Sequence, residues 1–180
     1  MKIKRFSLLA GLATLVTVGS VYATWDYITG GNIEGDSATL GVTITEKTES
    51  TGLAGSVDFT SVPVLTIDHA GDYVPTLGIV GDIDVTYTPA TGSQVNAVVC
   101  TINVEFQDTC TDEFKALFNF TPITWTSTAG TTFTLDAASI SSNLSLVSTV
   151  LDTPALYDAY SATLSAAGNG WVVTASAVAA

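Results

Sequence analysis

The sequence predicts an all-β fold, a β-sandwich or jelly-roll-like domain with two or three short helices, preceded by a signal-peptide helix. Three observations carry this expectation. Apolar and polar residues alternate with period two in many short runs, the pattern of half-buried strands. Turn signals rich in Gly, Pro and Asn separate those runs at short intervals. Crossover helices, which a parallel α/β sheet requires, are largely missing. The 180-residue chain shows no repeat of fixed period and no linker long enough to divide it, so residues 38–180 are expected to form one domain. A domain of that size buries roughly two-thirds of its unfolded surface and requires no staple.

The elements follow in chain order. Leu40, Val42 and Ile44 alternate with Gly41, Thr43 and Thr45 in a first strand over Ala38 to Thr45, and Val57 and Phe59 repeat the pattern. Val62 to Ile67 is a β-branched run interrupted by Pro63, which suits an edge or a strand start. His69-Ala70-Gly71-Asp72 has turn composition. Leu77, Ile79, Ile83, Val85 and Tyr87 share one face of a long strand, with Gly81 as a bulge or close-approach point. After a turn over Pro89 to Ser93, Val98, Cys100, Ile102, Val104 and Phe106 form the inner face of the next strand.

Thr111 is expected to cap a short helix from Asp112 to Phe118, with Asp112 and Glu113 in the first turn, where acids favour the dipole. Ile123 and Trp125, then Phe133 and Leu135, straddle Ala129-Gly130 as a hairpin. Ala137 to Leu144 suits a helical turn, and Leu146 to Leu151 a strand. Thr153-Pro154 opens a helix striped by Leu156, Tyr160 and Leu164; Gly168 ends it, and a last strand runs from Trp171 to Ala177.

Composition limits what the protein does. Seventeen acids face five bases, for a formal net charge of −12, with 47% apolar residues, one His and two Cys. The apolar fraction is too high for a disordered chain. Nucleic-acid binding is not expected, because it needs Lys and Arg to displace phosphate counterions. His69 has no G-x-S-x-G elbow to complete a triad, and no H-E-x-x-H is present, so no enzyme activity is expected. No cofactor is expected either. Calcium is the cation the acids would suit, through Asp82 and Asp84 on one strand face or Asp68 and Asp72 flanking a turn, but no D-x-D-x-D-G loop occurs. Cys100 and Cys110 leave two readings open. One is a disulfide tying a strand end to the next helix cap; the other is a free Cys100 acting as a small hydrophobe on the inner face.

Residues 1–23 have the layout of a secretory signal peptide. Lys2, Lys4 and Arg5 form a positive start, Phe6 to Val18 an apolar stretch, and Val21-Tyr22-Ala23 a cleavage site after Ala23. The competing reading is an uncleaved anchor, which Phe6 to Ala23 is barely long enough to supply. Cleavage removes 23 of 180 residues and leaves 157, with two bases, Lys47 and Lys115, against 17 acids, a net charge of −15. No Cys follows the cleavage site for lipid attachment, so the product is expected to be secreted, not membrane-bound, and either released or held at the surface by other proteins.

The run Gly19-Ser20-Val21-Tyr22-Ala23-Thr24-Trp25-Asp26-Tyr27 resembles the junctions cut by the SipW-type signal peptidase of Gram-positive bacteria. There a small-residue and Tyr-Ala site is followed at once by an aromatic residue and an acid. A short polar gap, here Thr29 to Ser37, and an apolar strand come next. Over residues 15–45 the chain is similar to the TasA and camelysin (CalY) proteins; beyond that only the order of strands and the closing helix–strand pair look alike. The resemblance implies a secreted β-sandwich, several of whose relatives build biofilm-matrix fibres, and a SipW-type peptidase as export partner. The metalloprotease label attached to camelysin-like proteins has no motif here to carry it.

The resemblance further implies a homo-polymer built by strand addition. A mature N-terminal segment, here Trp25, Tyr27 and Ile28 hinged at Gly30 and Gly31, would complete the sheet of the next subunit. The physics is sound, because an exposed edge offers unpaired N–H and C=O groups that an extended peptide fills, and head-to-tail addition does not close. The plainer reading of Trp25 and Tyr27 is a first strand with aromatic core anchors. Residues 24–37 are therefore treated as a separate N-terminal segment. The alternative function is a monomeric secreted binding module for carbohydrate or a cell-wall partner, with Trp125, Trp171 and Tyr157 stacking on sugar rings; those aromatics otherwise fill the core.

Overall fold

The computed structural model describes residues 38–50, 55–69, 74–93, 97–128 and 130–180. The signal peptide with its cleavage after Ala23, the segment Trp25, Tyr27 and Ile28, the glycines Gly30 and Gly31, and Ala70 to Asp72 of the expected turn lie outside the described residues.

The fold is all-β with three short helices, as the alternation predicts. Its strands in chain order are β1 (Ala38–Val42), β2 (Ile44–Ser50), β3 (Gly55–Ser61), β4 (Val64–His69), β5 (Thr76–Val80), β6 (Ile83–Pro89) and β7 (Val98–Phe106). After α1 (Asp112–Lys115) come β8 (Phe118–Phe120), β9 (Ile123–Ser127) and β10 (Thr132–Leu135). The chain closes with α2 (Ala137–Ser141), β11 (Leu144–Leu146), α3 (Pro154–Ser165) and β12 (Trp171–Ala179).

One layer is built from two long runs paired with each other, β3 with β6 and β4 with β5, both antiparallel. The runs break together at Pro63 and Gly81. Proline has no N–H to give a ladder, and Gly81 sits at φ +92, which a residue with a Cβ adopts only at a cost. A register shift between Phe59 and Ser61 accompanies the bend, and the Ser61 hydroxyl donates to the Asp82 carbonyl at 3.1 Å. β1 extends the β4 half and β10 the β6 half.

The other layer is a four-stranded sheet of order β2-β12-β7-β9. β7 and β12 pair antiparallel along nine residues each, so their inner residues face one another in register: Cys100 with Ala177, Ile102 with Ala175, Val104 with Val173. All six are buried, and with Leu65, Ile67, Ile83, Val85 and Tyr87 from the first layer they form the core. Each aliphatic side chain fully removed from water contributes about 1.5–3 kcal/mol. Outer positions of the same strands include Thr101, Asn103, Thr174 and Ser176, all polar, with the β-branched threonines favoured on a solvated sheet face.

Four expectations are corrected. The first strand does not run through Ala38 to Thr45: at Thr43 the chain leaves β4 and continues as β2, parallel to β12 in the opposite layer. The Trp171 N–H donates to the Thr43 carbonyl at 3.2 Å and fixes the crossing. The hairpin across Ala129-Gly130 does not form, because β9 pairs with β7 and β10 with β6. Val98 and Tyr87 donate to the carbonyls of Gly130 and Thr131, so the link spans the layers instead of turning back within one. The helix expected over Asp112 to Phe118 stops at Lys115, since Phe118 and Phe120 alternate with Asn119 and enter a two-stranded ladder with β11. The strand expected over Leu146 to Leu151 lies earlier, at Leu144–Leu146, once Asp136 has capped α2 by accepting from the Ser139 N–H at 2.6 Å.

Candidate assembly surface

The edges of the sheets are where an added strand would attach, and the elements around them differ in how far they close them. β5 is contacted by α2 and β11. α2 is held there because the Asp82 carboxylate accepts the Ala137 N–H at 2.8 Å. β1 passes under α3. The four-stranded sheet ends in β2 on one side, where β3 lies against it, and in β9 on the other, and among the described residues no further strand is hydrogen-bonded to either.

The two ends have different chemistry. β2 exposes Thr45, Glu46 and Lys47, with Thr45 anchored by the Gln107 amide at 2.6 Å. β9 exposes Thr124 and Thr126 on the outer face and buries Ile123 on the inner one, where Trp125 is half-buried against the core. Sequence reasoning missed β9 as an edge because it paired the strand with β10. The uncharged Ile-Thr-Trp-Thr-Ser run was the available signal.

The expected site residues are distributed as follows. Cys100 and Cys110 are free and buried, and they belong to opposite ends of β7. Cys100 lies opposite Ala177, while Cys110 lies against Gly170, next to the residue opposite Phe106. The six-residue advance of strand from Cys100 to Phe106 alone spans about 20 Å at about 3.3 Å per residue. A disulfide requires Cα atoms within about 7 Å. Of the two readings, the free thiols are the one found. Burial pushes the Cys100 thiol up to about 11, which keeps it protonated and non-nucleophilic. The Cys110 thiol donates to the Gly170 carbonyl at 3.0 Å and accepts the Gly170 N–H at 3.2 Å.

Trp171 is 1% exposed, enclosed by Phe106, Phe114 and Phe118 with ring centroids 5.4, 5.4 and 4.8 Å away. Tyr157 is buried as well. Neither is available to stack on a sugar, and of the three aromatics named for that role only Trp125 reaches the surface in part. Of the acids considered for calcium, Asp82 and Asp84 serve the fold, Asp68 keeps one buried carboxylate oxygen without a hydrogen-bond partner, and Asp72 lies outside the described residues. Asp82 holds α2, and the Asp84 carboxylate accepts from the Thr134 hydroxyl at 2.6 Å. Among the described residues no three His, Cys, Asp or Glu side chains converge on a point that would hold a metal. His69 ends β4, paired with Ala38, instead of occupying a turn.

Asp136 has its carboxyl held below the usual range by the Ser139 N–H and hydroxyl, the signature of a helix cap. Burial raises the Tyr160 hydroxyl above its ordinary value. Each perturbed group therefore has a structural cause. No protein-family model, curated protein or solved structure matches the chain.

Proposed function

We propose that the chain is a secreted structural protein, a fibre subunit of a biofilm matrix or cell surface that assembles by strand addition and performs no catalysis. Its N-terminal segment, Trp25, Tyr27 and Ile28 hinged at Gly30-Gly31, is the donor, and a SipW-type peptidase releases it by cutting after Ala23. The observation that supports this reading most directly is the sheet layout. The four-stranded sheet ends in β2 and β9, and among the described residues no further strand is hydrogen-bonded to either; the donor segment lies N-terminal to β1 in the sequence. An extended peptide laid on such an edge gains main-chain hydrogen bonds without any change in the acceptor. The competing reading, a monomeric module stacking sugars on Trp125, Trp171 and Tyr157, draws no support from two aromatics that fill the core.

Deleting residues 24–31 tests the proposal. The expected result under negative-stain electron microscopy is loss of filaments, while circular dichroism and a monomeric elution volume show the sandwich intact. Filaments that persist without the segment exclude it as the donor.

A further inference from the structure

β9 has the sequence Ile123-Thr124-Trp125-Thr126-Ser127, which is nearly the same in both directions about Trp125. It is bonded to β7 on one side only among the described residues. Natural proteins block such an edge with charge, proline or a bulge. β2, the other end of the same sheet, is blocked in that way by Glu46 and Lys47. β9 carries no charge at all, in a chain of 17 acids and five bases.

We propose that β9 pairs antiparallel with β9 of a second copy about a two-fold axis at Trp125, joining two four-stranded sheets edge to edge. A two-fold contact must be self-complementary, so that residue i meets j and j meets i. The register centred on Trp125 satisfies this. Thr124 falls opposite the partner's Thr126, Thr126 opposite the partner's Thr124, and Trp125 opposite its own counterpart. Threonine pairs and aromatic pairs are among the cross-strand combinations that stabilise antiparallel ladders. Charge selects the same occupant. Two mature copies that each carry −15 repel wherever their carboxylates approach, and an uncharged strand lets them meet without like charges at the contact. The contact closes at two copies, whereas addition of the N-terminal segment runs head to tail. It does not depend on that segment.

Sedimentation velocity tests the contact in the intact chain and in the chain lacking residues 24–31. Two double variants are compared, Thr124→Asp with Thr126→Asp, and Thr124→Lys with Thr126→Lys. Both place their changes on exposed side chains, and circular dichroism checks that the fold is kept. The wild type is expected to dimerise in both chains. Each variant alone should dimerise more weakly by over about tenfold, because like charges then face each other across the axis. An equal mixture of the two should recover the dimer, since Asp then faces Lys. A monomeric wild type, a dimer undiminished in either variant, or a mixture that stays monomeric overturns the proposal. So does a dimer lost on deleting residues 24–31, which would show that the edge receives that segment instead. Filaments serve as the separate readout for the N-terminal donor, so failure of one contact is distinguishable from failure of the other.

Discussion

The two ends of β7 are built on different principles. At one end Val98, Cys100 and Ile102 lie opposite Ala179, Ala177 and Ala175, and the buried side chains meet in an aliphatic layer. At the other, Phe106 stacks on Trp171 and the chain reverses through a dense polar corner. There Gln107 donates its N–H to the Gly170 carbonyl, Cys110 bonds both polar atoms of the Gly170 backbone, and Thr109 donates to the Gly168 carbonyl at 2.8 Å. Asn169, itself buried, accepts the Thr111 N–H at 2.9 Å and donates to the Thr163 carbonyl at 2.7 Å. Small volume errors in the aliphatic layer are shared among many weak contacts. In the corner the bonds are few and specific, and losing a side chain such as that of Asn169 strands the donor and the acceptor it served.

This contrast sets the order of expected mutational effects. Gly170→Ala has the largest. Gly170 sits at φ +144, and a Cβ there would collide with the Thr43 carbonyl, a backbone atom that cannot swing away. A destabilisation of more than about 3 kcal/mol is expected, read as a shift in the urea midpoint or as loss of soluble protein. An alanine variant with an unchanged midpoint would mean that the corner is looser than its contacts indicate.

Asn169→Ala comes next, at about 2 kcal/mol, because it orphans the Thr111 N–H and the Thr163 carbonyl together. The urea midpoint should fall at constant slope; an effect below that of the aliphatic end would erase the contrast. Cys100→Ala is the smallest, about 1 kcal/mol for removing one sulfur from the core. It also carries a pH signature. Because burial raises the Cys100 thiol from 9.0 to about 11, its contribution is complete below pH 9 and is lost as the pH rises through about 11. Wild type should therefore lose stability over that interval relative to Cys100→Ala, and parallel pH profiles for the two proteins would rule out the thiol as the cause.

The sequence made the long strands legible because their burial follows a strict period of two: Val98 to Phe106 and Trp171 onward form β7 and β12 as expected. Thr111 and Thr153 identified the starts of α1 and α3 through capping that is local in sequence. Partnership was not legible. Leu40, Val42 and Ile44 alternate without interruption, yet β1 and β2 serve different layers, because the crossing depends on a bond from Trp171, far away in the chain. Ile123 to Leu135 has the local form of a hairpin, but Gly130 and Thr131 are claimed by Val98 and Tyr87. The free thiols were one of two open readings until the length of β7 separated them. Sequence patterning reports which face of a strand is buried; it does not report which strand lies beside it, and an edge is defined by the neighbour it lacks.

The crossing at Thr43 has a mechanical consequence. Tension applied at the N-terminal end of β1 acts along the strand, so the five pairs from Ala38 with His69 to Val42 with Leu65 resist together in shear instead of unzipping one by one. Beyond Thr43 the same pull enters β2 and is shared over seven parallel pairs with the C-terminal strand β12. The layers are thus loaded in series through one continuous piece of backbone. The backbone bond from the Trp171 N–H to the Thr43 carbonyl sits at the point where the load passes from one layer to the other.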